Sequence, residues 1–154
     1  MSEIQVNSYY HTGIVVADVD WTITFLRDVL GFEFLDKSPR DPKNQEFVTG
    51  VEGVEVMIAY MRLQDQLFEI SQYGGRAEPA HYRPRMVDVG HYHLCLMVDD
   101  VDGAVQKCLA YDERITTLSP SPLVVDSGPN KGNKVIVVVL PDGMMIEFTN
   151  TRKC

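Results

Sequence analysis

An amphipathic helix is the clearest element that the apolar and polar positions predict near the start of the chain. It follows an apolar run at 9–17 that is typical of a strand. Asp18 or Asp20 can cap its first turn, and Gly31 suits the left-handed residue that ends a helix. Its apolar face recurs at helical spacing in Val19, Ile23, Leu26 and Leu30.

Three further strands are predicted in the first half of the chain. They cover 32–35, a stretch near 53–61 and a stretch near 66–72. A polar loop with Pro39 and Pro42 separates the first two of them. The first half is therefore predicted to be a unit of one strand, one helix and three strands.

The second half repeats this order. A strand is predicted at 91–98 and a helix begins near Asp102, with Val101, Val105 and Cys108 on one face. Strands are then predicted at 114–118, 135–140 and 144–150, with a loop rich in Pro and Gly before the second of these. The segment 73–89 is predicted to be a connector between the two units.

The two units also share a polar motif. HTGIVVADVD begins at His11 and HLCLMVDDVD begins at His93, 82 residues later. Each unit ends on a carboxylate between apolar residues, Phe68-Glu69-Ile70 in the first and Ile146-Glu147-Phe148 in the second. The His-to-Glu spacing is 58 residues in one unit and 54 in the other. A lone His or a lone Glu in a strand carries little information. The same pair at matched ends of two repeats indicates a shared functional role.

A carboxylate flanked by bulky apolar side chains needs compensation, because burying it unpaired costs several kcal/mol. An ion pair or a cap would supply it, and so would a metal ion. Two repeats packed with approximate twofold symmetry would gather His11, Glu69, His93 and Glu147 in one cup. Two imidazoles and two carboxylates suit one divalent ion of Ni, Co, Zn, Mn or Fe. His91 could replace His93 as a ligand or line the pocket.

Composition narrows the class of protein. The 154 residues include 14 Lys and Arg against 22 Asp and Glu, for a net charge of −8, which argues against nucleic-acid or anionic-membrane partners. No apolar run is long enough for a membrane helix and no signal peptide is visible, so a cytoplasmic protein is expected. Three cysteines without a CxxC motif make a disulfide framework improbable, and Cys95 and Cys108 are predicted to be core residues.

With these motifs in place, the chain resembles the vicinal oxygen chelate superfamily, which includes glyoxalase I and methylmalonyl-CoA epimerase. The segments that carry the resemblance are HTGIVVADVDWTITFLRDVLGFEF, QLFEISQY, GHYHLCLMVDDVD and LPDGMMIEF. It implies an α+β fold of two βαβββ modules that form a curved mixed sheet around a metal. The domain organisation expected is one domain over 1–154, with module one at about 9–72, the connector at 73–89 and module two at about 90–150.

The resemblance implies a metal-dependent isomerase, epimerase or lyase that transfers a proton alpha to a carbonyl through an enediolate or enolate. The quartet His11, Glu69, His93 and Glu147 resembles the ligands of bacterial glyoxalase I. An extradiol-type dioxygenase is one alternative, although Glu69 stands where a second His would be expected. A metal-free, ligand-sequestering protein of the resistance type is another.

Two further expectations follow from the resemblance. GVEVMIAY resembles the epimerase strand that carries a second catalytic Glu, so Glu55 and Glu147 could act as opposed acid and base, unless Glu55 points to solvent. Family members of this kind lead us to expect a homodimer. Independently, Arg76, Arg83 and Arg85 in the connector could hold an anionic tail such as a carboxylate, CoA or a phosphate, unless the connector is a solvated loop or dimer arm. The partner expected is a small-molecule substrate such as an anionic thioester or thiol adduct.

Overall fold

The computed structural model describes residues 4–150 and divides the chain into two compact units, one up to Ala80 and one from His81 onward. The division falls inside the predicted connector. Unit 1 contains β1 (Thr12–Val15), α1 (Val19–Asp28), β2 (Glu33–Pro39), α2 (Pro42–Thr49), β3 (Val54–Leu63) and β4 (Gln66–Gly75). Unit 2 contains β5 (Leu94–Met97), α3 (Val101–Tyr111), β6 (Thr116–Thr117), β7 (Leu123–Val124), β8 (Lys134–Val139) and β9 (Met145–Thr149).

Unit 1 is a mixed four-stranded sheet with the order β1-β4-β3-β2. β1 runs parallel to β4, and the other neighbours are antiparallel. The predicted apolar face of α1 is confirmed for Val19, Ile23 and Leu26, which are buried, whereas Leu30 lies beyond the helix and is partly exposed. Strand residues supply the rest of this core, among them Ala59, Met61, Phe68 and Ile70.

The ends of α1 follow from local side-chain chemistry. Asp18 lies in extended backbone, and its Oδ1 accepts a 2.9 Å hydrogen bond from the backbone N–H of Trp21. After the helix, Gly31 has a φ of +74°, a conformation that other residues adopt at a cost. The predicted cap and the predicted stop are both confirmed.

The predicted polar loop with Pro39 and Pro42 is wrong, because Pro39 ends β2 and Pro42 begins α2. Asp41 caps this helix by accepting from the N–H of Asn44 at 3.0 Å, and Pro42 occupies its first turn, where a missing N–H costs nothing. No residue of α2 is buried, so the sequence carries no apolar stripe that would reveal the helix.

Unit 2 repeats this architecture with its own mixed sheet. The strand order is β5-β9-β8-β6, with β7 also paired to β8 inside the loop that was predicted to lack strands. β5 runs parallel to β9, as β1 does to β4. The predicted apolar face of α3 is confirmed, since Val101, Val105 and Cys108 are buried. Helices and mixed sheets in both units confirm the α+β class.

The first strand of each unit is shorter than predicted. β1 begins at Thr12 and β5 begins at Leu94, so His11 and His93 each stand one residue before a strand. In the first unit the last strand continues to Gly75, into the predicted connector. Among residues 4–150, no helix is long and apolar enough to span a bilayer.

Candidate metal centre

Unit 1 brings His11 and Glu69 together. β1 pairs Gly13 with Glu69, and His11 lies two residues before Gly13, so both side chains belong to one face of the sheet. His11 Nε2 is 3.9 Å from Glu69 Oε2, and both side chains are partly exposed. A Cβ added at Gly13 would meet no other atom within 4 Å, so this glycine leaves open space on the same face.

Unit 2 builds the matching pair from matching elements. β5 pairs Cys95 with Glu147, and His93 lies two residues before Cys95. His93 Nε2 is 3.5 Å from Glu147 Oε2, again with both side chains partly exposed. The repeat seen in the sequence thus places one imidazole beside one carboxylate in each unit.

The two distances suit a shared metal ion better than a direct hydrogen bond. A charge-assisted N–H···O bond is about 2.7–2.9 Å long, shorter than either separation. Nitrogen and oxygen ligands each lie about 2 Å from a divalent ion, so two ligands of one ion stand up to about 4.2 Å apart. Both pairs fall inside that limit at 3.9 and 3.5 Å.

The His11 ring supplies a second observation. Its Nδ1 is buried and has no hydrogen-bond partner within the described part of the chain. A buried polar nitrogen without a partner is costly, by about 1–3 kcal/mol. The donor types and the spacing of each pair fit a divalent cation. No group of three or more His, Cys, Asp or Glu in residues 4–150 could hold a metal ion, so the structure supports the two pairs and not the quartet.

Glu69 is also held by residues that the sequence analysis did not select. The Tyr60 hydroxyl donates to Glu69 Oε2 at 2.7 Å, and the Ser71 hydroxyl lies 3.4 Å from Oε1. This hydrogen bond to the carboxylate raises the pKa of Tyr60, and partial burial raises it further. A tight turn at Gln64 and Asp65 fixes the register of β3 and β4, so that turn was the signal that could have identified Tyr60.

Cys95 contacts the carboxylate of unit 2. The expectation of a core cysteine is wrong here, because Cys95 is exposed on the face that carries Glu147, whereas Cys108 is buried as predicted. The Cys95 Sγ donates to Glu147 Oε1 at 3.3 Å. Desolvation and this hydrogen bond together raise the pKa of the Cys95 thiol to about 11.

Glu55 is not brought together with the His11–Glu69 pair. β3 pairs Glu55 with Gly74 and Tyr60 with Glu69, so strand alternation puts Glu55 on the opposite face from Glu69. There it is exposed and borders a cavity of about 690 Å³. The other residues that line this cavity include Val19, Pro39, Pro42, Met57 and Gln72.

His91 lies beside the pair of unit 2. Its ring stacks on His93 with centroids 5.6 Å apart and planes 16° from parallel. Both of its ring nitrogens are buried and have no hydrogen-bond partner among the residues described. His91 therefore stays a candidate pocket residue, whereas His81 is exposed.

A family comparison decides what class of fold carries these pairs. The model for the glyoxalase/bleomycin resistance protein/dioxygenase superfamily matches residues 10–133. The chain belongs to this superfamily. A curated member similar to it is a 2-epi-5-epi-valiolone epimerase from an Actinomyces species, 28% identical over 149 residues, covering 92% of this chain and 78% of the relative.

Solved structures of the superfamily share the fold. A glyoxalase family protein from Bacillus cereus superposes with a TM-score of 0.78 at 19% identity, with 97% of each chain covered. The fosfomycin resistance protein FosX from Listeria monocytogenes, solved with Mn(II) and sulfate, gives a TM-score of 0.63 at 12% identity over 97% of this chain and 96% of its own. At these identities the likeness establishes the architecture alone.

Two of the connector arginines, Arg83 and Arg85, already contact other residues of this chain. Arg85 pairs with Asp88, with 2.7 Å between Nη2 and Oδ1. The Arg83 guanidinium donates to the carbonyl oxygen of Pro141 at 2.6 Å. A substrate anion would have to compete with these internal contacts, so the connector offers less free positive charge than its sequence suggests.

Proposed function

We propose that this protein is a metal-dependent isomerase, epimerase or lyase that moves a proton at the carbon alpha to a carbonyl group. The observation that carries the proposal is the recurrence of one His–Glu pair in each unit, at separations of 3.9 and 3.5 Å that two ligands of one ion can have. The proposal assigns His11, Glu69, His93 and Glu147 to one divalent ion of Ni, Co, Zn, Mn or Fe.

A divalent ion held by this quartet would act as a Lewis acid toward a carbonyl oxygen and so acidify the adjacent C–H bond. The chain's own contribution is a carboxylate that takes and returns the proton. Glu147 is the better candidate. Among the described residues it accepts a side-chain hydrogen bond from Cys95, a weak thiol donor, whereas Glu69 accepts from the Tyr60 hydroxyl.

One relative supports the proposed reaction class, and another the proposed kind of metal. The curated relative from Actinomyces is an epimerase, and epimerisation at a carbon next to a carbonyl is a proton transfer of this kind. The FosX structure contains Mn(II), which belongs to the proposed group of metals. The substrate proposed is a small molecule, with an anionic thioester or thiol adduct as the class to test first. A homodimer remains part of the proposal, and its test is sedimentation analysis.

Exchange of the substrate alpha proton with solvent tests the proposal. Metal-loaded protein should wash deuterium from D₂O into a 2-methyl acyl thioester or into the thiol adduct of a 2-oxoaldehyde, as followed by NMR. Glu147→Gln should reduce the exchange rate by about 100-fold or more while the protein stays folded.

Other outcomes would contradict the proposal in favour of the alternative functions. Oxygen uptake that depends on a catechol and on iron would indicate a dioxygenase. Tight ligand binding without bound metal and without turnover would indicate a sequestering protein.

A further inference from the structure

Tyr60 is fixed opposite Glu69 by the backbone. The two residues are direct partners in the antiparallel register of β3 and β4, so the sheet itself sets where the phenol and the carboxylate meet. The Tyr60 Oη donates to Glu69 Oε2 at 2.7 Å. That carboxylate oxygen is the one that lies 3.9 Å from His11 Nε2.

Other side chains limit the movement of the Tyr60 ring. The ring of His11 meets it edge-on, with centroids 6.2 Å apart. The Arg40 guanidinium lies over it, 5.8 Å from its centroid, and also donates to the Ser38 hydroxyl. A phenol packed in this way delivers its hydrogen bond from a defined position.

Between residues 81 and 150, unit 2 shows no equivalent of this contact. β8 places Val137 opposite Glu147, at the position that Tyr60 occupies opposite Glu69. Valine has no donor, and the contact that Glu147 receives comes instead from the Cys95 thiol at 3.3 Å. The phenol is thus a feature of one repeat and not a consequence of the repeated fold.

We propose that Tyr60 is a positioning residue that holds the Glu69 carboxylate in the orientation required for a divalent cation beside His11. The inference rests on the proposed metal site. A carboxylate restrained by a hydrogen bond loses less rotational freedom when it becomes a metal ligand. Without that hydrogen bond, the carboxylate is less well oriented and metal binding is weaker. Removing such an outer hydrogen bond reduces metal affinity by about 10- to 100-fold.

The test compares Tyr60→Phe with wild-type protein. Tyr73→Phe is the matched control, because Tyr73 lies on the same face of β4 as Glu69 but opposite Val56, and the substitution removes the same hydroxyl. The dissociation constant for Co²⁺ is measured by competition with a chromophoric chelator, and the visible spectrum of the Co²⁺ form reports ligand geometry. Tyr60→Val, which copies Val137, serves as the second variant should the phenylalanine form fail to fold.

The expected result is Co²⁺ affinity at least about 10-fold weaker and a changed Co²⁺ spectrum in Tyr60→Phe, with Tyr73→Phe unchanged. Equal affinity and an identical spectrum in Tyr60→Phe would overturn the role of Tyr60 and leave the proposed metal site standing. Failure of the wild-type protein to bind Co²⁺ would overturn both, which separates the two failures. A purely structural role would lower the melting temperature of the metal-free protein without altering the spectrum.

Discussion

Glu55 and Glu69 stand on opposite faces of the sheet that β3 and β4 share. β3 pairs Tyr60 with Glu69, and Glu55 is an odd number of residues from Tyr60 along an uninterrupted strand. The carboxylate of Glu69 is directed toward His11, whereas Glu55 borders a cavity whose lining includes neither His11 nor Glu69. The role expected for Glu55 as the acid or base opposed to Glu147 stays a prediction, and the placement of Glu55 away from the His11–Glu69 pair argues against it.

The two carboxylates should therefore respond differently to the same substitution. Glu55→Gln should leave metal affinity and alpha-proton exchange within about twofold of wild type, whereas Glu69→Gln should weaken metal binding by at least about 10-fold. Metal content by elemental analysis and exchange by NMR measure the two effects. Loss of exchange in Glu55→Gln with metal retained would restore the catalytic role for Glu55.

Cys95 should be a poorly reactive thiol despite its exposure. Its pKa of about 11 keeps the thiolate scarce at pH 8, and the thiolate is the form that alkylating agents attack. Iodoacetamide should modify Cys95 at least about 10-fold more slowly than it modifies N-acetylcysteine at pH 8. Mass spectrometry after timed quenching measures the rate at this residue.

The hydrogen bond between Cys95 and Glu147 provides a control for this prediction. Glu147→Gln removes the carboxylate that accepts the Cys95 hydrogen bond, so the thiol pKa should fall and alkylation should speed up. Burial is the larger cause of the raised pKa, so the variant should remain slower than the free thiol. Alkylation of wild-type Cys95 as fast as the model thiol would contradict the assigned contact.

The N-terminal caps of α1 and α3 should each contribute to the free energy of unfolding. Asp18 accepts from the N–H of Trp21 at 2.9 Å, and Asp100 accepts from the N–H of Gly103 at 3.0 Å. Asp18→Ala and Asp100→Ala should each lower the free energy of unfolding by about 1 kcal/mol, as measured by urea titration. Asparagine at either position keeps the acceptor and serves as the control. A cap whose alanine variant matches wild type contributes nothing.

Much of the fold was predictable because both repeats carry the same pattern of apolar positions. Val19 and Val101 begin equivalent buried helix faces, and the strands that carry Glu69 and Glu147 were both predicted. α2 was missed because a helix with no buried residue leaves no periodic apolar signal, although Asp41 and Pro42 form a recognisable start.

For the site, the sequence predicted which His and Glu residues belong together in each unit, but not which residues lie opposite them on the neighbouring strand. The spacing from His to Glu identified residues that the structure places together within each unit, at 3.9 and 3.5 Å. Cross-strand partners depend on register, which the hydrophobic pattern does not specify without the turn. That is why Tyr60 was overlooked as the partner of Glu69.

Metal stoichiometry tests most directly the proposal that two pairs from two repeats serve one ion. Elemental analysis of the untreated wild-type protein and of His11→Ala and His93→Ala would be compared after identical purification. A shared ion predicts about one divalent ion per chain in wild type and loss of nearly all of it in either variant. Two ions per chain with one lost in each variant, or no bound ion in wild type, would contradict the claim.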